Sequence, residues 1–466
     1  MLKDTFLDIY NRAHITSKEL SRGGQGIVYR TEEPNILLKV EFAPDKLNLN
    51  TDIKNNDKFE KIRTLPMLDK INITLPQTVL KDIVGYTMVL LDDMKSFDDV
   101  FSTTKETNFS NKWLNDFGEE NEKLRKWFAG YIASGGIRKR IHAYLNAAQI
   151  LAKIHGSGLV YCDLSNKNMF VSSDYDNETV WLIDCDNLNY MKNTARKSGW
   201  MTPGYGAPEI YSGKGNTMYS DAYSFAVSLF WTLADNHPFV GEAVIEDCDS
   251  EEGSEADIAC SRDYPWVCDK DDDSNKLDDS QVPKNLFISD NTMKYFHRTF
   301  GSKGKNNRQT RTTMPEWCYT LAKDLDHVVR CENCQMDYYG NEHNACPWCD
   351  HKSKIVKIIS ESINGDRRTN VWNIIHEITE DAFEVPLRIL EGFFSDHIDN
   401  KAFKLKYDEN ELEIFDLCEG YRFCIVQDGV ERPLYGHSRM SLEKNITILA
   451  TDKLRKSSYS IRIEVV

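Results

Sequence analysis

No stretch of this 466-residue sequence is long and apolar enough to read as a membrane span. The longest apolar run, Ala222 to Ala234, is interrupted by Ser224, Ser228 and Thr232. It falls short of the roughly 20 residues that a span requires, and a buried helix is the expectation instead. Met1 to Tyr10 scatters Lys3, Asp4 and Asp8 among its apolar residues, without the basic head and apolar stretch of a secretion signal, so residence in the cytoplasm is expected. A basic excess is also missing. With 57 Lys and Arg against 73 Asp and Glu, the formal charge of −16 argues against a general nucleic-acid binder, although a local basic patch stays open. There is no internal repeat. No Gly-Lys-Ser/Thr follows the glycines near residue 23, which excludes a Walker A loop.

What is present supports a folded chain of two to four domains, since 41% apolar content is enough for at least one large core. Four of the twelve cysteines fall in two C-x-x-C pairs and the rest are scattered. That usage fits metal binding and ordinary core thiols in a reducing compartment. From Ile15 to about Leu91 the pattern is strand-like with one helix around Phe59 to Leu65. Lys112 to Gly156 has helical periodicity, closed by Gly156 and Gly158. Residues 242–280 are dense in Asp and Glu, as in Asp271-Asp272-Asp273, and read as a solvated, partly mobile insertion or as a docking surface for a basic partner. Helical patterning returns from Asn291 to Val329. Beyond Ala402, period-two alternation and the turn signal Asp428-Gly429 predict a closing antiparallel β domain.

Three features carry chemistry. Gly23, Gly24 and Gly26, with Val28 after them, lie between strand-like runs, where missing Cβ atoms let backbone N–H groups approach phosphate oxygens. Taken alone, such a cluster is more often a plain turn. Lys39 sits inside an apolar strand and needs an anionic partner there, for which Glu60 on the following helix is the candidate. Such a pair can hold the lysine against the α- and β-phosphates of a nucleotide. Two short apolar strands then deliver Asp163, Asn168 and Asp184 to one place. Phosphoryl transfer needs a carboxylate to orient the attacking hydroxyl, a role for Asp163, and oxygen ligands for Mg²⁺ or Mn²⁺, a role for Asn168 and Asp184.

The order of these groups resembles a protein kinase from about Ile15 to Leu325. Asp163-x-x-x-x-Asn168 matches the catalytic loop, Asp184-Cys185-Asp186 stands where Asp-Phe-Gly is usual, and Ala207-Pro208-Glu209 matches the end of the activation segment. Asp221 resembles the aspartate opening the buried central helix of the large lobe, and Arg311 the late arginine that pairs with Glu209. More narrowly, the glycine loop, Leu182-Ile183-Asp184-Cys185-Asp186, His237-Pro238-Phe239 and Cys-Pro-Trp-Cys are similar to bacterial zinc-ribbon kinases associated with tellurite-resistance-type genes. That resemblance implies a serine/threonine kinase using ATP on a protein substrate, with a phosphatase and a von Willebrand A-type protein as companions. Departures are Ser21 for the first loop glycine, Cys162 for an activation-loop-binding arginine, Ser165 for a γ-phosphate lysine, and Asp186 for glycine. Ser165 and Cys162 keep a rival open, a nucleotide-binding pseudokinase scaffold.

Cys331-x-x-Cys334 and Cys346-x-x-Cys349 have the spacing of a closed structural zinc site, with disulfide or redox pairs as the alternative and His343 as a spare ligand. The fold expected is therefore α+β: a two-lobed kinase-like fold (1–92 and 93–325, with the acidic insertion at about 242–282), a zinc ribbon (326–356) and a small antiparallel β domain (357–466). A ribbon protein that binds nucleic acid is the least favoured reading, and no membrane partner is expected.

Overall fold

A computed structural model of the chain describes residues 4–23, 25–66, 71–172, 179–194, 199–248, 255–261, 263–277, 283–393, 400–408, 411–427, 429–441 and 446–466. The chain divides into two compact units: residues 1–102, 143–281 and 294–314 form the first, and 103–142, 282–293 and 315–466 the second. The cysteine cluster and the C-terminal strands thus share a unit with 103–142, a grouping by packing rather than by sequence order.

In the first unit a six-stranded sheet has the order β1-β2-β3-β4-β6-β5. Its strands are β1 (Thr5–Leu7), β2 (Ala13–Arg22), β3 (Gly26–Thr31), β4 (Ile36–Glu41), β5 (Thr78–Val79) and β6 (Gly85–Val89), and helix α1 (Asp57–Arg63) lies between β4 and β5 in sequence. Two small apolar cores hold it. Ile27, Leu38, Val40 and Leu80 form one, and Phe59 of α1 joins Val79, Val84 and Tyr86 in the other. Strands β7 (Met94–Ser96), β8 (Leu159–Val160), β9 (Met169–Ser172), β10 (Val180–Leu182) and β11 (Asn189–Tyr190) then make two short sheets, β10-β9-β7 and β11-β8.

The expected buried helix runs over Met218–Ala234 and starts from a capping box, with the Thr217 and Ser220 side chains satisfying each other's backbone N–H groups. Glu209 and Arg311 meet as expected. Both guanidinium nitrogens reach the carboxylate at 2.8 Å, with side-chain exposures of 0% and 8%, and the ring of Tyr223 lies 4.8 Å away. A buried pair broken on one side leaves an uncompensated charge, so Arg311→Ala is expected to destabilise the protein by about 3–5 kcal/mol. Urea denaturation checks this, and a change below about 1 kcal/mol, in the range of an exposed pair, would contradict it.

Within the acidic segment, the described residues 242–248, 255–261 and 263–277 include regular structure and buried anchors. Two helices, Glu242–Cys248 and Glu255–Ser261, are followed by Trp266, which is fully buried against Phe230, His297 and Phe300. Asn275 donates to the carbonyls of Phe239 and Pro265 at 2.9 and 2.8 Å. One large aromatic and one amide therefore anchor a segment whose Asp271, Asp272 and Asp273 stay exposed.

In the second unit, β12 (Val328–Arg330) pairs with β13 (Asp337–Tyr339) beside the cysteines. The closing strands β14 (Ile355–Asn364), β15 (Arg367–Glu377), β16 (Phe383–Pro386), β17 (Lys401–Asp408), β18 (Glu411–Phe415), β19 (Tyr421–Gln427), β20 (Val430–Pro433), β21 (Ser438–Ser441), β22 (Ile446–Asp452) and β23 (Ser458–Val465) form two antiparallel sheets. Their orders are β15-β14-β23-β22-β19-β20 and β16-β17-β18-β21. Phe403 of one touches Phe423 of the other. The alternation read from sequence is realised here: Phe403, Leu405, Ile461 and Ile463 are buried while Lys406 and Arg462 are exposed. Asp428 of the turn signal lies outside the described residues, but the strands on either side of it pair as a hairpin. Buried Asp326 accepts from Arg388 at 2.5 and 2.6 Å and from the Trp372 indole at 2.6 Å, tying the strands to the chain before the cysteines. Among the described residues, no helix is long and apolar enough to cross a membrane.

Candidate active site and four-cysteine cluster

The glycine turn joins β2 to β3. Gly23 donates its N–H to the Gly26 carbonyl at 3.0 Å, and Gly24 lies outside the described residues. A Cβ on Gly26 would stand 2.0 Å from the Val40 carbonyl oxygen, so strand packing alone requires glycine there. On Gly23 a Cβ would meet nothing within 4 Å, which leaves that position open to an approaching ligand. Val28 faces Lys39 across the β3–β4 pair, and Tyr86 faces Lys39 from β6.

Lys39 is buried, and its ammonium has found its anions. They are Asp184 and, at 2.8 Å, Asp186. Burial alone would lower the lysine pKa; Tyr86 together with the Asp186 and Asp184 carboxylates outweighs that and holds it well above the ordinary value. The expected Lys39–Glu60 pair is not formed. Glu60 binds Arg63, one turn further along α1, at 2.8 and 3.0 Å. The helix turns Phe59 and Ile62 inward, and with 100° per residue Glu60 then falls on the flank, about 130° from the centre of the buried face. Phe59 itself packs on Tyr86, ring centroids 4.5 Å apart, and fills the side of Tyr86 nearest the helix.

Asp163 and Asn168 lie on the loop between β8 and β9. Cys162, just before Asp163, has φ +83°, a strained backbone conformation for a residue with a side chain. Asp221 holds it there, accepting the N–H groups of Tyr161 and Cys162 at 2.7 and 3.0 Å, with His155 Nε2 at 3.1 Å on the same carboxylate. Asn168 donates its side-chain amide to the Asp163 carbonyl at 2.8 Å, and its own carbonyl accepts the Ile183 N–H at 2.9 Å. The two acidic loops are thereby laced together. Asp184 adopts the left-handed conformation, φ +58°, at the start of a 3₁₀ turn over Cys185–Asn187. Burial first, then the charge of Asp186, raises the Asp184 pKa above the usual carboxylate value.

The Asp163 carboxylate accepts a hydrogen bond from Thr202 at 2.7 Å. Its pKa is pushed up to about 6, chiefly by burial, with Asp184 and Asp186 adding repulsion. The acid form predominates below that value. Any reaction that needs the ionised carboxylate is expected to slow about tenfold per pH unit below about 6, and a rate–pH profile flat down to pH 5 would contradict the assignment. Neither Thr202 nor Asn216, which bridges Trp200 to the Cys162 carbonyl, carried a signal in the sequence. Asp186 did carry one, as an acid in place of glycine.

For a divalent ion the chemistry of the donors fits. Asn168 uses its amide nitrogen elsewhere and retains its side-chain oxygen, and the Asp184 side chain is 32% exposed, so both offer hard oxygen ligands.

The four cysteines form a second constellation. All four sulfurs lie within 4.8 Å of one another, with Cys331 to Cys349 at 3.7 Å and Cys334 to Cys346 at 3.5 Å. A disulfide needs about 2.05 Å, whereas tetrahedral thiolates at about 2.3 Å from a metal stand about 3.8 Å apart. Two near-identical turns produce this. Cys331 and Cys346 each donate to the carbonyl five residues on, at 2.9 and 2.8 Å, and each accepts from the N–H four residues on, at 2.9 Å. The fifth residue of each turn, Gln335 and Asp350, has φ near +60°. The geometry fits a metal ion held by these four sulfurs, and His343 is not among the group.

Residues 111–318 match the family described as the protein kinase domain. The chain is 31% identical over 117 residues to a serine/threonine-protein kinase, dkf-2, of Caenorhabditis briggsae, a stretch covering 24% of this chain and 10% of that protein. It is 30% identical over 99 residues, 21% of this chain and 16% of the relative, to a receptor-like protein kinase of Arabidopsis thaliana described as inactive. The chain therefore spans only a small part of the length of these relatives. The family match begins beyond the glycine turn and Lys39, so the six-stranded sheet is known from the structure alone. Together these observations identify a protein kinase domain, followed by a four-cysteine cluster and antiparallel β sheets.

Proposed function

We propose that this chain is an ATP-dependent protein kinase that transfers the γ-phosphate to serine or threonine hydroxyls of a protein, itself or a partner. The observation that carries this is the gathering of Lys39, Asp163, Asn168 and Asp184, 145 residues apart at the extremes, within the first unit. Lys39 holds the α- and β-phosphates, and Asp163 orients the incoming hydroxyl and accepts its proton. Asn168 and Asp184 hold Mg²⁺ or Mn²⁺, which when bound neutralises charge developing between the β- and γ-phosphates. The serine/threonine assignment follows the Caenorhabditis relative.

Zinc is the ion proposed for Cys331, Cys334, Cys346 and Cys349, because four thiolates in a tight tetrahedron suit a soft-tolerant, redox-inert cation. The ribbon and the closing sheets then recruit partners. The likeness to bacterial zinc-ribbon kinases makes a phosphatase and a von Willebrand A-type protein the first partners to test. Incubation with γ-labelled ATP and Mg²⁺ should label the chain or a generic acceptor protein. Absence of label with either metal would overturn the proposal.

A second reading, a nucleotide-binding pseudokinase scaffold, is favoured by two features of the structure: Lys39 is engaged by two carboxylates, and Asp163 is already bonded to Thr202. The inactive Arabidopsis relative is in keeping with it. It predicts binding of ATP without transfer.

A further inference from the structure

Lys39 makes two ion pairs, and the two are not alike. The Asp184 side chain is 32% exposed and, in the kinase reading, is a ligand for the divalent ion. The Asp186 side chain is 1% exposed and fixed in the 3₁₀ turn Cys185–Asn187. When Asp184 turns its charge to a metal, the ammonium at 7% exposure still requires an anion, since an unpaired buried charge is strongly unfavourable. Glu60 is poorly placed to supply it: its side chain is 42% exposed, it is bonded to Arg63, and the Phe59–Tyr86 contact packs beside it. Asp186 is already there.

We propose that Asp186, rather than Glu60, is the positioning residue that holds Lys39 for the phosphates of ATP. The proposal rests on the kinase reading for its purpose, but its geometry concerns nucleotide binding alone. An ammonium has three N–H donors. With one given to Asp186 and one released by Asp184, two remain for phosphate oxygens. Carrying this anion on the same turn as Asp184, instead of on α1, makes the placement of Lys39 independent of where that helix sits. It also accounts for an acid at a position where glycine is usual. The second oxygen of Asp186, Oδ1, is buried without a hydrogen-bond partner among the described residues. A carboxylate stands there although only one of its oxygens is bonded, which is the expectation if its charge, and not a hydrogen-bond network, is what the site uses.

The test uses the full chain and equilibrium binding of Mg²⁺-ATP, with transfer rates measured alongside. Asp186→Asn is expected to weaken ATP affinity at least tenfold and to raise KM for ATP more than it lowers kcat. Glu60→Gln should weaken affinity less than threefold. In a Lys39→Met background, Asp186→Asn should add less than twofold, because the group it acts through is gone. Equal losses from Glu60→Gln and Asp186→Asn, or a full Asp186→Asn loss in the Lys39→Met background, would overturn the proposal. Asp186→Ser, which removes the charge with a smaller side chain, carries the same expectations should the asparagine variant fail to fold. A wild-type chain that binds ATP but transfers no phosphate overturns the kinase reading and leaves these affinity ratios to judge Asp186. A chain that binds no ATP overturns both.

Discussion

Replacing Asp163 by asparagine is expected to reduce phosphate transfer about a thousandfold while ATP affinity changes by less than about threefold, the range in which a positioned general base usually contributes. The physical reason is local. Asp163 contacts Thr202 and the Asn168 side chain through different atoms, its carboxylate and its backbone carbonyl, so the isosteric amide leaves the loop tied to Asn168. What disappears is the negative charge that, in the proposed kinase reaction, orients and deprotonates the hydroxyl. Its raised pKa adds a signature. The wild-type acid limb near pH 6 should vanish in the variant along with the rate. A variant that retains more than about one tenth of the activity would place Asp163 outside the chemistry.

Removal of the metal is the second large effect. Three of the four cysteines are buried. The purified chain is expected to carry about one zinc per molecule. Chelation, or Cys334→Ser, should lower the melting temperature by roughly 10 °C or more, because structural zinc contributes an apparent 10–16 kcal/mol, comparable to a whole domain's stability. The effect should reach beyond the turns. Trp348, between Cys346 and Cys349, packs on Phe128 and Phe287, and its indole donates to the Asp337 carbonyl at 3.1 Å. Asp337 in turn accepts from Arg330 at 2.9 Å and from the Arg138 backbone at 2.9 Å. Metal content by elemental analysis and melting with and without chelator decide the matter. A metal-free protein with an unchanged transition would reduce the cluster to four core thiols.

Much of the candidate site was legible because its parts are encoded over short distances. A C-x-x-C turn fixes two sulfurs by its own backbone geometry, and the six residues from Asp163 to Asn168 form a loop whose hydrogen bonds close on themselves. Alternation over Phe403–Tyr407 and Ile461–Ile463 reported the closing sheets, since each strand has one buried face whatever its partner. In the acidic segment, the described residues show anchoring that composition does not report. Charge density described the surface of residues 269–273 correctly, but a single Trp266 and a single Asn275 were enough to anchor the segment, and averages over forty residues conceal two. Glu60 was misread for a related reason. Helical position relative to Lys39 depends on which face of α1 is buried, and Phe59 with Ile62 decided that.

By itself, then, the sequence determined which groups this protein possesses and in what order: an ammonium in an apolar strand, acids and an amide at strand ends, two thiol pairs, and a β-patterned close. Local covalent spacing and periodicity suffice for those. Only the tertiary structure decided which anion neutralises Lys39 and that Asp221 holds the strained backbone at Cys162. These pairings span 59 to 147 residues. Their partners are chosen by how sheets and helices pack, and a buried charge accepts whichever opposite charge that packing brings within 3 Å.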